Sequence, residues 1–529
     1  MNDRLNPMEA ITTRSPTGIS LLALGDRPES YAFRLFKAIL EAKGYRVNLV
    51  YLNIARLDSP ITFTPALQEQ LLRLVRSSSI VALYVFTFNF DLAVEITRYI
   101  RAHTNALILW GGPHAIAEPE ECAQYADIVC INEGEQALPA IVEKYEIHGA
   151  DFDRTGIANA AYMLKGEMRY NPIERLNSSL DSLPYQDLSL VNHYYVDNAN
   201  NIVPLTLEDM RKAGEGVFRY ITMISRGCPF RCTFCLNSNE HRIPYYVGRS
   251  VDNVIGELKE AKRRFGGQMD EVMFYDDDLF ALPAEYIADF SAKYKEHIDI
   301  PIAPVNASAV SFREDKLIQL KNAGIMGVIV GIQTISTNGR KSYHNPANKD
   351  RISRIMEVMK RHSDMRTVLH IMLGNPYENE DDIAENLLFL NSLPKIYDLS
   401  PYNLIIYPGT KLVQRIRNDP VHRTRAREGY RLPYYYCKPE MRSWSHLAMA
   451  YPGRKREFPG YIRYLLEGHY YTLLKCVAFL GRVRTRIRRL HAFAKEHGLL
   501  TTLKKVGDKL SACIHKVDQR TPRAEARRR

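Results

Sequence analysis

A chain of 529 residues is too long for one hydrophobic core and implies roughly two to four domains. Its 46% hydrophobic and 25% charged residues are ordinary for a globular protein, and no run of about 18 apolar residues occurs, so no spanning helix is predicted. The net charge of +11 is concentrated at one end: residues 470–529 hold 16 Lys/Arg against 4 Asp/Glu, a net +12, which leaves −1 (11 − 12) for everything before them.

The opening residues, MNDRLNPMEAITTRS, lack a basic-then-apolar leader, so a cytoplasmic location is expected. From 19 to 132 apolar runs alternate with amphipathic segments. ISLLALG (19–25), RVNLVYL (46–52), IVALYVFT (80–87), ALILWGG (106–112) and DIVCIN (127–132) read as buried strands, and YAFRLFKAILEAKGY (31–45) as a helix ending at Gly44. Such alternation implies a doubly wound, Rossmann-like parallel sheet over 1–149, with ligands at the carboxyl ends of its strands. The loops there carry Gly25-Asp26, Thr87-Phe88-Asn89, Gly111-Gly112-Pro113-His114 and Glu133-Gly134-Glu135. Glycine beside polar groups lets a large flat ligand approach the backbone.

Residues 150–215, rich in Pro, Asn, Ser and Asp, read as a connector. Strand–helix alternation resumes with YITMISRG (220–227), EVMFYDDDLF (271–280), IAPVNASA (302–309), GVIVGIQT (327–334), TVLHIMLG (367–374) and YNLIIYPGT (402–410) as strands. Six βα units over 216–415 make a partial (β/α)6 barrel, whose chemistry belongs at the carboxyl ends of the strands. Asp276, Asp277, Asp278, Asn306, Gln333 and Tyr407-Pro408-Gly409 all fall there. Residues 416–529 read as a helical, basic C-terminal module, either a solvated helix and tail or a contact for an anionic surface.

Eight cysteines, three of them within RGCPFRCTFCL (226–236), fit metal chemistry in a reducing compartment better than a disulfide framework. A structural zinc site wants four protein ligands, and His241 is the available fourth. Three thiolates instead suit a [4Fe–4S] cubane, which leaves one iron open to an exogenous ligand.

CPFRCTFC resembles the C-x3-C-x2-C signature of the radical S-adenosylmethionine (SAM) superfamily, and FYDDDLF, LKNAGIMGVIVGIQTIS, HIMLGNPYENEDDIAENLLFL and YPGTKL resemble its later barrel segments in order. LWGGPHAIAEPEECAQYADIVCINEGEQAL resembles the end of the cobalamin-binding domain that precedes many such barrels. The chain is thus similar, over about 18–415, to the cobalamin (B12)-binding radical SAM family. The resemblance implies that Cys228, Cys232 and Cys235 hold the cluster and that SAM chelates its open iron. It implies SAM contacts from Phe234, Asp276, Asp277, Asp278, Asn306, Gln333, Tyr407, Pro408 and Gly409, carboxylates complementing the SAM ammonium. It places cobalamin against Thr87, Asn89, Gly111, Gly112, His114, Glu133, Gly134 and Glu135. The first-strand loop reads GDRPES, without the histidine that ligates cobalt from below in some cobalamin proteins, so no such ligation is expected; His114 is expected at the corrin edge.

The activity implied is methylation of an unactivated carbon of a small-molecule or lipid substrate. Cyclisation or rearrangement with the same cofactors, RNA modification, and a non-catalytic cluster-bearing role are the alternatives. His370, Tyr275 and Tyr343 are the candidate catalytic groups. A flavodoxin or ferredoxin is the expected electron donor, and the basic C-terminus suggests peripheral membrane contact ahead of nucleic acid.

Overall fold

The computed structural model describes residues 17–25, 30–52, 62–175, 179–239, 246–427, 441–450, 457–476 and 478. Asp26, His241 and the basic run after 478 lie outside the described residues, and with them most of the tail expected to meet an anionic surface.

Five parallel strands, Gly18–Leu24, Arg46–Leu52, Ile80–Tyr84, Leu107–Gly111 and Ile128–Cys130, form the heart of the N-terminal sheet. The first lies between the second and third, so strand order reverses beside it. Successive side chains of a strand point to opposite faces. Ile19, Leu21 and Ala23 therefore pack under helices Tyr31–Ala42 and Gly134–His148, while Leu22 and Leu24 pack under Pro65–Val75 and Phe90–His103. Burial on both faces explains the unbroken apolar runs in the sequence.

Residues 150–215 are more than a connector. Strands Ala160–Leu164 and Glu167–Tyr170 extend the sheet antiparallel beyond Ile128–Cys130. His193–Val196 joins the opposite edge parallel to Arg46–Leu52, and Ile202–Pro204 closes that edge antiparallel. The result is a nine-stranded sheet. The segment is also pinned by charge. Lys37, wholly buried, reaches Asp187 at 2.8 Å and Glu41 at 2.7 Å, and His193 Nε2 lies 2.7 Å from Asp187.

The second unit has six parallel strands: Arg219–Thr222, Glu271–Phe274, Val305–Ser308, Gly327–Gln333, Arg366–Leu373 and Tyr397–Asn403. Ile302 bridges Val272 and Ile325, which joins the first pair to the other four. Among the described residues no ladder joins the last strand to the first, so the barrel is partial. Two expectations are corrected. The stretch 220–227 divides: after Thr222 the chain turns, and Ser225–Gly227 forms a small antiparallel hairpin with Tyr246–Gly248. The last strand is Tyr397–Asn403, not 402–410; Pro401 is tolerated because that strand is the sheet edge. Extension stops just beyond it, where Tyr407 N donates to Ile405 O only two residues back.

The described C-terminal residues are helical, as expected, and pack on the barrel. Helix Arg442–Ala450 sends Trp444 and Leu447 into the main core. Helix Gly460–Glu467 lies near helix Glu380–Ser392, where Phe458 N donates to Asn391 Oδ1 and His469 Nδ1 meets Asp381, at 2.8 and 2.7 Å. No helix among the described residues is long and apolar enough to cross a membrane.

Candidate active site

The cysteine loop leaves the first barrel strand and is fastened on three sides. On the barrel side, buried Asp276 accepts hydrogen bonds from Ile224 N (3.0 Å), Ser225 N (2.6 Å) and Ser225 Oγ (2.5 Å). Behind the loop, Thr233 N donates to Tyr343 O, Thr233 Oγ1 donates to Ser342 O, and Leu412 N donates to Thr233 O. Toward the N-terminal sheet, Arg226 pairs with Glu135 at 2.7 Å and lies 3.5 Å from Glu133.

Within the loop Cys235 N donates to Cys232 O, and Asn237 N approaches Cys235 Sγ at 3.5 Å. Burial pushes the Cys228 thiol up to about 12, and the one on Cys232 up to about 11. Metal binding would displace the protons of such thiols to solvent and hold the sulfurs as thiolates. Among the described residues no three His, Cys, Asp or Glu side chains converge on a single metal ion. Three thiolates suit a cubane, which takes one on each of three irons.

A cleft of about 380 Å³ opens between the carboxyl edge of the N-terminal sheet and this loop. One wall is Gly111, Gly112, Glu133, Gly134 and Glu135; the other is Ser225, Arg226, Gly227, Leu236, Asn237, Tyr275 and Asp277. Aromatic side chains floor it, with Phe33 edge-on to both Phe36 (6.0 Å) and Tyr84 (5.4 Å). Gly112 sits at φ 98°, and a Cβ there would meet Tyr84 Cδ2 at 2.9 Å and Val85 N at 3.0 Å. Only glycine lets that backbone form the wall. A flat, largely apolar ligand with amide edges, such as a corrin, fits a cleft bounded by bare backbone and rings.

Of the residues expected at the corrin, Gly111, Gly112, Glu133, Gly134 and Glu135 line this cleft. Thr87, Asn89 and His114 are buried outside that lining. His114 is fully buried, its Nδ1 3.2 Å from Thr87 Oγ1 and its ring 4.8 Å from that of Phe90, because the short helix Pro113–Ala117 turns it away from the cleft. Asn89 is buried as a brace: its Nδ2 donates to Leu24 O, and its Oδ1 accepts from Phe86 N.

The acidic triplet also divides. Asp276 is committed to the backbone and Ser225 as above, and burial pushes it up to about 6 against those donors. Asp278 is buried too, accepting from Ser308 N and Ser311 Oγ. Asp277 is exposed to the cleft, where Asn237 Nδ2 donates to it at 3.0 Å.

Asn306 Nδ2 donates to Asp276 O. Gln333, at φ 58°, folds its amide against Asn345 and the carbonyls of Gly331 and Ile332. Phe234 packs edge-on against Tyr343 at 4.7 Å, and Tyr343 is wholly buried behind it, a support for the loop rather than a group open to substrate. Gly409, at φ 70°, brings the Tyr407-Pro408-Gly409 turn against Asn239 of the cysteine loop and Ala117 of the N-terminal unit; a Cβ would strike both. His370 projects from the opposite face of its strand to buried Leu369 and Ile371, with Nε2 3.4 Å from Tyr402 Oη. Burial lowers it to about 4, so it is neutral at pH 7.

Sequence reading missed the aromatic floor and the ionic role of Arg226. Phe33 and Phe36, three apart on one helix, were visible as a helical face, but nothing marked that face as bordering a cleft.

Residues 222–390 match the family model of the radical SAM superfamily, and residues 21–142 that of the B12 binding domain. An uncharacterized methyltransferase of Pyrococcus horikoshii is 26% identical over 314 residues, covering 58% of this chain and 62% of the relative. The bacteriochlorophyllide d C-8(2)-methyltransferase of Chlorobaculum tepidum is 24% identical over 340 residues, covering 62% and 66%. The match thus spans under two thirds of either relative. Among solved structures, the radical S-adenosylmethionine methyltransferase TsrM of Kitasatospora setae, with cobalamin and a [4Fe-4S] cluster bound, superposes with TM-score 0.58 at 16% identity over 76% of this chain and 75% of its own. The cobalamin-dependent radical enzyme OxsB, with aqua-cobalamin and S-adenosylmethionine bound, gives 0.57 at 17% identity over 71% and 52%. At these identities the likeness is one of fold.

Proposed function

Because the chain belongs to the cobalamin-binding radical SAM family, with a B12-binding domain followed by a radical SAM domain, we propose that it is a methyltransferase that transfers a methyl group to carbon of a small organic substrate. The observation that carries this reading is the shared cleft, whose walls come from the glycine loops of one domain and the cysteine loop of the other. The methyltransferase names of the two curated relatives support the transfer reaction.

When bound, the cluster supplies the electron that cleaves SAM, and the corrin carries the methyl group. In this reading Cys228, Cys232 and Cys235 bind the cluster, and Asp277 meets the SAM ammonium. Gly111, Gly112 and Gly134 give the corrin its backbone wall, and the aromatic floor excludes water beneath it. His370, within the barrel with Tyr402 beside it, is the candidate group facing the substrate. Tyr275, half exposed in the cleft, borders the substrate. A lipid substrate, peripheral membrane contact through the basic C-terminus and a flavodoxin or ferredoxin donor belong to the same proposal.

The test is to incubate the reduced holoenzyme with methyl-labelled SAM and a fractionated small-molecule extract. A product heavier by one methyl, with S-adenosylhomocysteine and 5′-deoxyadenosine, is expected. 5′-Deoxyadenosine with an unmethylated, cyclised product would overturn methyl transfer.

A further inference from the structure

Arg226 stands at the seam of the two domains. It is two residues before Cys228 and one after Ser225, which Asp276 ties to the barrel. Its guanidinium crosses the cleft wall to Glu135 Oε1 (2.7 Å) and Glu133 Oε1 (3.5 Å). The side chains of Arg226, Glu133 and Glu135 are 12%, 11% and 7% exposed. Both glutamates flank Gly134, which begins helix Gly134–His148 and forms part of the proposed corrin wall. Both contacts run through one guanidinium nitrogen, Nη1, with Glu135 the close partner, so a single enclosed charge pair ties the loop to the helix start. Breaking so enclosed a pair takes the close cation from Glu135, so the loop and helix start have a strong reason to remain joined.

We propose that Arg226 is a positioning residue: by latching the cysteine loop to Glu133 and Glu135, it sets the separation between the cluster and the corrin across the shared cleft. This inference rests on the proposal that the cleft holds both cofactors. The two bound groups touch different domains, and the spacing between them is defined by whatever ties those domains together at that point. Asp276 orients the loop from the barrel side, and the Arg226 latch registers it against the sheet. Glu133 and Glu135, expected from the sequence to contact cobalamin, act in this account through the loop.

The experiment uses anaerobically reconstituted full-length holoenzyme, reduced so that both the cluster and the cobalt are paramagnetic. The magnetic interaction between the two centres is measured by electron paramagnetic resonance, alongside the ratio of methyl transfer to SAM cleavage. Arg226→Gln is expected to keep iron and corrin contents, broaden or lose the magnetic splitting, and lower the ratio about tenfold, since a small misplacement of reacting groups is costly. Arg226→Lys should recover part of the splitting, and the exchanged pair Arg226→Glu with Glu135→Arg more of it. If Arg226→Gln fails to fold, Glu135→Gln carries the test, with a smaller shift in the same direction. Unchanged splitting and ratio in Arg226→Gln, or in Glu135→Gln where it is the variant tested, overturn the latch. Absence of any splitting in the unaltered holoenzyme overturns the shared-cleft reading, and the latch with it.

Discussion

Cys232 carries the most direct test at the residue scale. Cys232→Ala should abolish SAM cleavage, measured as 5′-deoxyadenosine, while the corrin absorbance of the reconstituted protein stays near that of the unaltered chain. Loss of both together would mean that the two halves are not separable. The acidic triplet offers a contrast between neighbours. Asp277→Asn should leave the melting temperature almost unchanged and weaken SAM binding roughly tenfold, a loss of about 1.4 kcal/mol. Asp276→Asn should instead cost about 1–3 kcal/mol of stability in a denaturant titration, because an amide has one acceptor oxygen and cannot accept from both Ile224 and Ser225. The division was partly legible: residues 276 and 278 share one face in extended chain and 277 faces the other. The sequence could not tell which face looked into the cleft. The cysteine spacing, in contrast, was legible in full, since it is contiguous and the chemistry needs little else.

At the scale of elements, the parallel strands were readable because burial on both faces demands continuous apolar runs. The strands of 150–215 were not: they are three to five residues long, too short to carry a clear alternating pattern, and they form the outer antiparallel pairs of the sheet. Their attachment depends on a pair 150 residues apart, Lys37 and Asp187, which no local pattern announces. Asp187→Asn takes one of two carboxylates from the buried ammonium of Lys37, leaving Glu41, and should cost about 1–3 kcal/mol. Acid should weaken both units, through His193 in the sheet and His370 in the barrel. Burial lowers His193 and His370 to about 4, against about 6.5 when unfolded, so between those values the unfolded chain binds more protons. Stability should therefore fall as pH drops from about 6.5 to about 4, by up to ~3 kcal/mol for each histidine. Denaturation midpoints across that window check this, and His370→Asn should flatten part of the slope.

For the whole molecule, the order of domains was legible from motifs, but their mutual placement was not. Arg226 and Glu135 lie 91 residues apart (226 − 135), and Gly409 meets Ala117 across nearly 300 (409 − 117). These contacts turn two recognisable domains into one cleft. The order reversal beside the first strand opens the sheet's carboxyl edge, and the cysteine loop faces it. The central claim is that this single chain carries both groups there. Anaerobic purification with iron, cobalt and corrin quantitation tests it most directly: one [4Fe–4S] cluster and one corrin per chain are predicted, and a full complement of iron with no corrin would contradict the account.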